Sequence, residues 1–321
     1  MHLIKYEDQG SKIIKGYLVL RAGCLILITA FLTFFSAPVA QAGQRILAVQ
    51  GVGAKPYTQA YEGFKGVLGP EADITRLIIS ELSESDAEER IGNAEPDLVL
   101  AIGMKALRMV EDKGVAPIVY VMVLDAAGRF SDKKHITGVS MVGEPEKQLE
   151  LISRVFPDAG SIGLIYDPEQ TGKLVRQILT TASGKNVSVA AREVYRPENV
   201  PPAFILIRDE IDVFWMLPDL TVMSHETARS IFLLAMESGR PVVAFSEKYA
   251  EQGALMSIGV DPYDMGRQAG RMAEKILAGA DAGAISSQDA RKTVVTVNTR
   301  IAEKLGVVFD KEFLDQVRII R

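Results

Sequence analysis

The chain alternates two hydrophobic rhythms. Short, almost wholly apolar runs are followed by stretches in which apolar positions recur every three or four residues. The first rhythm marks strands buried on both faces, the second amphipathic helices. Strands are predicted over 45–49, 74–79, 97–102, 118–123 and 136–139, with helices over 57–68, 83–91, 104–112 and 144–155. Either Ser83 or Ser85 caps the second of these helices, and Pro157 closes the fourth. The pattern then restarts. Strands are predicted over 161–166, 187–191, 213–217, 242–245 and 256–260, and helices over 173–181, part of 200–207, 224–238 and 264–278. Repeated strand–helix units build a parallel, right-handed, doubly wound sheet. Two such series predict an α/β protein of two doubly wound parallel-sheet lobes with a ligand cleft between them, since ligands of such sheets sit beyond the carboxyl ends of the strands.

The residues at those strand ends are the candidate contacts. Gly103, Met104 and Lys105 join a strand to a helix, whose unpaired N–H groups attract an anion such as a carboxylate. Lys105 either adds its charge there or is solvated. Leu217 and Asp219 follow an apolar run containing Trp215, itself read as core; Asp219 either accepts a ligand amine or caps a turn. Phe245, Ser246 and Glu247 offer an aromatic face and hydrogen-bonding groups, or else a helix cap and a solvated carboxylate. Asp167, with Thr171 nearby, opens a turn with Pro168 or meets ligand. Asp125 and Asp261 are further strand-end carboxylates. The Gly51-Val52-Gly53 stretch lacks the third glycine of a dinucleotide loop, because position 56 is Pro, and reads as a tight turn.

Composition narrows the function. The chain has 321 residues, enough for two domains. Lys12, Lys15 and Arg21 flank an apolar run over 22–35, Pro38 breaks it, and Ala40-Gln41-Ala42 fits the small-x-small cleavage pattern. Residues 1–42 are therefore read as a secretory signal cut after Ala42, or an N-terminal membrane anchor if left uncut. The single cysteine, Cys24, falls inside that segment, which suits an oxidising compartment. The formal charge of −5 becomes −7 without the leader, which carries four basic and two acidic residues. No basic stripe is present for nucleic acid. His135 and His225 stand apart from other metal-ligand types, and no G-x-S-x-G, P-loop or H-E-x-x-H motif occurs. No metal, cofactor or catalytic residue is expected, and the strand-end pattern points to holding a small molecule rather than transforming it.

Three segments carry a family likeness: ITGVSMVGEPEKQLELISRVFPDAGSIGLIYDP at 136–168, LPDLTVMSHETARSIFLLAMESGRPVVAFSEKYAEQGALMSIGVDPYDMGRQAGRMAEKILAG at 217–279, and TVNTRIAEKLG at 296–306. They resemble the ABC-transporter substrate-binding proteins of the tryptophan/tyrosine-binding type. The resemblance implies a type I periplasmic-binding-protein fold. The chain would cross between lobes near Ser140, Ile258 and Ala284, giving one lobe from 43–139 plus 259–283 and another from 140–258 plus 284–321. It implies an extracytoplasmic, monomeric protein that captures a small solute, an amino acid or similar, by cleft closure and delivers it to a membrane permease. The family's cleft motifs fall on Gly103, Met104, Lys105, Asp167, Thr171, Leu217, Asp219, Phe245, Ser246 and Glu247. The chain departs from the family at 123–126, Val-Leu-Asp-Ala, where an Asp-Pro pair is common, and at Asp167, where Tyr-Asn-Pro is frequent. A sensing or interaction module of the same fold, without a transport role, is the alternative.

Overall fold

Strands β3 (Leu98–Ile102, LVLAI) and β4 (Ile118–Val123, IVYVMV) have every residue buried, as the centre of a sheet covered on both faces requires. They belong to a computed structural model that describes residues 44–114, 116–124, 130, 132–185 and 187–321. The leader read at 1–42 and the candidate contact Asp125 lie outside those residues. With β1 (Arg45–Gln50), β2 (Asp73–Ile78), β5 (Ile136–Ser140) and the short β11 (Gln288–Asp289), these strands form a six-stranded sheet ordered β11-β5-β4-β3-β1-β2. Every pairing in it is parallel.

A second sheet of seven strands is ordered β13-β12-β10-β9-β8-β6-β7. Its members are β6 (Ser161–Tyr166), β7 (Ser188–Glu193), β8 (Val213–Trp215), β9 (Val242–Ala244), β10 (Met256–Val260), β12 (Thr293–Asn298) and β13 (Arg318–Ile320). The protein is thus an α/β molecule of two doubly wound lobes. One pairing departs from the parallel pattern: β10 and β12 run antiparallel, with Thr293 opposite Val260. The chain enters β12 from the first lobe, at the strand ends facing that lobe, so it has to run away from them.

The helices are α1 (Lys55–Leu68), α2 (Glu84–Gly92), α3 (Met104–Val110), α4 (Pro145–Val155), α5 (Pro168–Ser183), α6 (Val200–Ile207), α7 (His225–Glu237), α8 (Glu247–Gln252), α9 (Pro262–Leu277), α10 (Thr299–Leu305) and α11 (Lys311–Leu314). Ser83 caps α2, accepting from the Asp86 amide at 3.1 Å. Helix α5 starts five residues before the periodic segment at 173–181, because Asp167 caps it and Pro168 takes the first helical position. Trp215 is core, packed with Leu149 and Ile152 of α4 and Val175 and Ile178 of α5.

Helices α1 and α9 touch backbone to backbone. A Cβ on Gly63 would lie 2.0 Å from the Tyr263 carbonyl oxygen, and one on Gly266 would lie 1.9 Å from that of Ala60. Only glycine permits such an approach.

Three segments join the lobes, at 141–144, at Asp261 and at 290–292. The second lies beyond Ile258, because all of β10 stays paired to β12. The third lies beyond Ala284, because the chain first runs along β5: Thr137 Oγ1 donates to Ile285 O at 2.7 Å, and Gln288 pairs with Val139.

Candidate functional site

The carboxyl ends of the central strands of both sheets border a cavity of about 510 Å³. That volume is in the range of small-molecule sites. The first lobe contributes Tyr57 at the start of α1, Met104 and Arg108 of α3, and Met122 of β4. The second contributes Thr171 and Leu174 of α5, Pro218 and Met223 after β8, and Phe245 after β9. Met141, Val142 and Glu144 of the first crossing, and Asp289 of β11, also line it. Four methionines on one cavity make a soft, polarisable surface that adapts to an apolar guest. Phe245 is braced by Tyr249, ring centroids 4.9 Å apart, and Tyr249 is anchored by its hydroxyl donating to Met223 O at 2.9 Å.

The charges on this wall are few. Arg108, Lys173 and Asp289 line the cavity, and none makes a side-chain hydrogen bond or ion pair among the described residues. Glu144 is paired to Lys147 at 2.8 Å. Burial, and secondarily the charge of Glu144, push the Asp289 carboxyl above the ordinary range. Burial likewise raises the Tyr57 hydroxyl. The wall therefore sets two cations and one carboxylate, each without a side-chain partner among the described residues, beside its apolar surface. Among the described residues, no group of three or more His, Cys, Asp or Glu is placed to hold a metal ion.

The family model for ABC transporter substrate binding proteins matches residues 82–318. The chain belongs to that family. A curated relative, the tyrosine-binding protein of Clostridioides difficile (strain R20291), is 25% identical over 189 residues, covering 58% of this chain. The chain spans about half of that relative, 54% of its length. Among solved structures, a ligand-free, open substrate-binding protein with adhesive properties from Clostridium difficile superposes with a TM-score of 0.70 at 22% identity, covering 87% of this chain and 99% of the other. A domain from Streptococcus pneumonia in complex with L-Trp gives 0.65 at 20% identity, covering 87% and 100%. At such identities these neighbours show the fold, that of type I periplasmic binding proteins. The family is one of solute-binding proteins rather than enzymes, and its members are extracytoplasmic. No helix among the described residues is long and apolar enough to cross a membrane.

Within this substrate-binding protein the expected contacts separate into groups. Met104, Thr171 and Phe245 line the cavity. Gly103 lies behind it with φ +92, where a Cβ would strike the Tyr57 ring at 2.4 Å; the glycine lets Tyr57 lie over the strand end. Lys105 lines a neighbouring surface groove with Glu84, Glu88 and Asp112. Leu217 sits deeper, with Trp215, on a small void of about 30 Å³.

The carboxylates are mostly engaged elsewhere. Asp219 is wholly buried. Its Oδ2 accepts from the Asp167 amide at 2.8 Å and the Thr171 hydroxyl at 2.6 Å, and its Oδ1 from the amides of Thr221 at 2.9 Å and Val222 at 3.2 Å. Both of its oxygens are thus occupied by internal donors. Asp167 accepts from the Glu169 amide at 2.9 Å and the Thr221 hydroxyl at 2.7 Å. Ser246 stands before α8 with no side-chain capping bond, and Glu247 pairs with Arg318.

Asp261 caps α9 and binds Lys292 at 2.6 Å. Burial raises its carboxyl, but the Lys292 bond and the Asp264 and Tyr263 amides outweigh it, leaving the group below the usual range. Beside it, Arg291 grips Asp264 in two bonds of 2.7 and 2.5 Å, which holds that carboxyl low as well. Residues the sequence reading passed over include Tyr57, Arg108, Met122, Met141, Met223 and Asp289. Only Met141, directly after a strand end, carried a positional signal.

Proposed function

We propose that this protein is the extracytoplasmic receptor of an ABC transporter: it captures a small solute of amino-acid type, closes its lobes on it and presents it to a membrane permease. The carrying observation is the cavity of about 510 Å³ between the strand ends of two lobes, with a methionine-rich apolar surface and, among its charges, Arg108, Lys173 and Asp289, which have no side-chain partner among the described residues. A zwitterion with an apolar side chain satisfies all three features. Arg108 or Lys173 attracts the carboxylate, Asp289 the ammonium, and the methionines with Tyr57 and Phe245 cover the side chain. The names of the relatives, one tyrosine-binding and one complexed with L-Trp, agree with that chemistry. Binding favours the closed arrangement by the contacts that both lobes make with the solute at once. The lobes hinge on the segments at 141–144, 261 and 290–292, and the protein acts as a monomer. Residues 1–42 export it and are cut after Ala42; an intact mass beginning at Gly43 in the exported protein checks this.

Calorimetry against the standard amino acids and their deaminated analogues tests the reading. An apolar amino acid binds, its deaminated analogue binds far more weakly, and Asp289→Asn loses roughly tenfold or more of the affinity, the worth of a hydrogen bond to a charged group. The thermal midpoint of Asp289→Asn stays at the wild-type value, since the carboxylate has no internal partner to lose. An intact protein that binds no amino acid would refute the proposal.

A further inference from the structure

Strand β4 breaks its own alternation at the cavity. It pairs with β5 in regular parallel register from Ile118 opposite Ile136 to Tyr120 opposite Gly138, then resumes only at Val123 opposite Ser140. Val121 and Met122 thus share the single partner Val139. Met122 takes φ +58, a left-handed backbone unusual for any side chain and more so inside a strand. β4 has a neighbour on each side, so this bulge is not an edge defect.

The extra residue changes which way the side chains face. Val119 and Val121 belong to the core beneath α1 and α9, while Ile118 and Tyr120 belong to the opposite core. Strict alternation puts Met122 with Tyr120. Instead Met122 joins Val121's cluster, and Val123 drops to the other side. A bulge moves a side chain across a sheet in just this way. The result is a methionine only 6% exposed whose remaining surface is on the cavity wall. The partner strand is adapted to it: a Cβ on Gly138 would lie 2.2 Å from Tyr120 O and 2.6 Å from Tyr120 N, so only glycine fits beside the bulge.

We infer that Met122 sets the depth of the solute cavity and so selects the size of apolar side chain the protein accepts. This rests on the reading of the cavity as the solute site. The bulge delivers an unbranched thioether to the floor, where it meets the end of the guest's side chain. Truncating it to Ala removes three heavy atoms and lengthens the cavity in that direction.

The test uses the full-length protein, Met122→Ala and Met122→Gly, titrated calorimetrically with L-leucine, L-phenylalanine, L-tyrosine and L-tryptophan. Both variants are expected to shift the affinity ratio of the largest to the smallest of these ligands at least tenfold toward the large one. Met122→Gly is expected to melt higher than Met122→Ala, because glycine relaxes the left-handed backbone, and so serves where the alanine variant folds poorly. A merely structural methionine weakens all four ligands by a common factor; a ratio unchanged in both variants overturns the inference and leaves the solute-binding reading standing. Binding of none of the four by any of the three proteins overturns both.

Discussion

Gly266→Ala tests the packing that positions the first lobe's half of the cavity. The added Cβ would meet Ala60 O at 1.9 Å, Ala60 C at 2.8 Å and Phe64 N at 2.9 Å. All three are backbone atoms of α1, so no rotamer change relieves them. Restoring contact distance demands that the helices part by about 1.5 Å. That movement loosens Ala60, Phe64, Met265, Ala269 and Met272, each at most 2% exposed. A rigid overpacked contact of this kind costs roughly 3 kcal/mol. Replacing glycine within a helix returns about 1 kcal/mol of propensity, so the net loss is about 2 kcal/mol. For a protein of this size that lowers the melting temperature by roughly 3–4 °C.

Differential scanning calorimetry reads the shift. Gly92→Ala is the control: Gly92 ends α2 and a Cβ there meets nothing within 4 Å. The control is expected at or slightly above wild type. Because α1 also carries Tyr57 at its first turn, Gly266→Ala should weaken solute binding as well. A Gly266→Ala protein that melts at or above wild type would show that the helices can part freely, and the packing argument would be wrong.

Two other perturbations separate structural from binding carboxylates. Asp219→Ala leaves the Thr171 hydroxyl and the Asp167 and Thr221 amides without their acceptor, while the Val222 amide keeps its bond to the residue-219 carbonyl, a loss of about 3–5 kcal/mol by urea unfolding; Asp219→Asn, which keeps one oxygen but turns an NH₂ toward donors, loses less. Unaltered unfolding with abolished binding in either variant would return Asp219 to the role of ligand receptor. The Arg291–Asp264 pair predicts a pH signature. Asp264's carboxyl is lowered, chiefly by the Arg291 bonds, so the pair stabilises the fold above the unfolded aspartate value of about 3.9 and that contribution fades as pH falls through the lower folded value. Thermal midpoints of wild type and Arg291→Gln are expected to differ near neutrality and converge in acid; a constant gap down to about pH 3, below that reference value, would show that the pair does not act through ionisation.

Much of the fold was legible because central parallel strands are apolar throughout. LVLAI and IVYVMV cannot be solvated, and the stretches after them carry helical periodicity. The illegible parts have physical reasons. Helix α5 opens with Pro168, Glu169, Gln170 and Thr171, a turn without aliphatic side chains at helical spacing, of which Gln170 and Thr171 line the cavity, so its period is masked. Strand β11 is two exposed residues long, too short for any alternation to register. The β10–β12 antiparallel pair follows from the third crossing, which depends on contacts such as Thr137 with Ile285, remote in sequence. The bulge at Met122 leaves the apolar run unbroken and so leaves no mark in the pattern.

The sequence leaves the strand-end carboxylates open between ligand contact and a cap or turn, because such a residue also stands where a helix begins. The amides of that first turn compete for it at contact distance and need no ligand to do so. Asp167 and Asp261 both cap the helices that follow them, and Asp219 closes its own turn with two amides. A carboxylate remains unsatisfied only where no helix start follows. Asp289 meets that condition: it ends β11 and leads through the crossing into another strand, β12. Desolvation at the cavity rim, and after it the charge of Glu144, raise its carboxyl, and no donor among the described residues offsets them. In this fold the crossing strands, more than the strand-to-helix turns, are therefore the place to look for a carboxylate left free to meet a cationic guest.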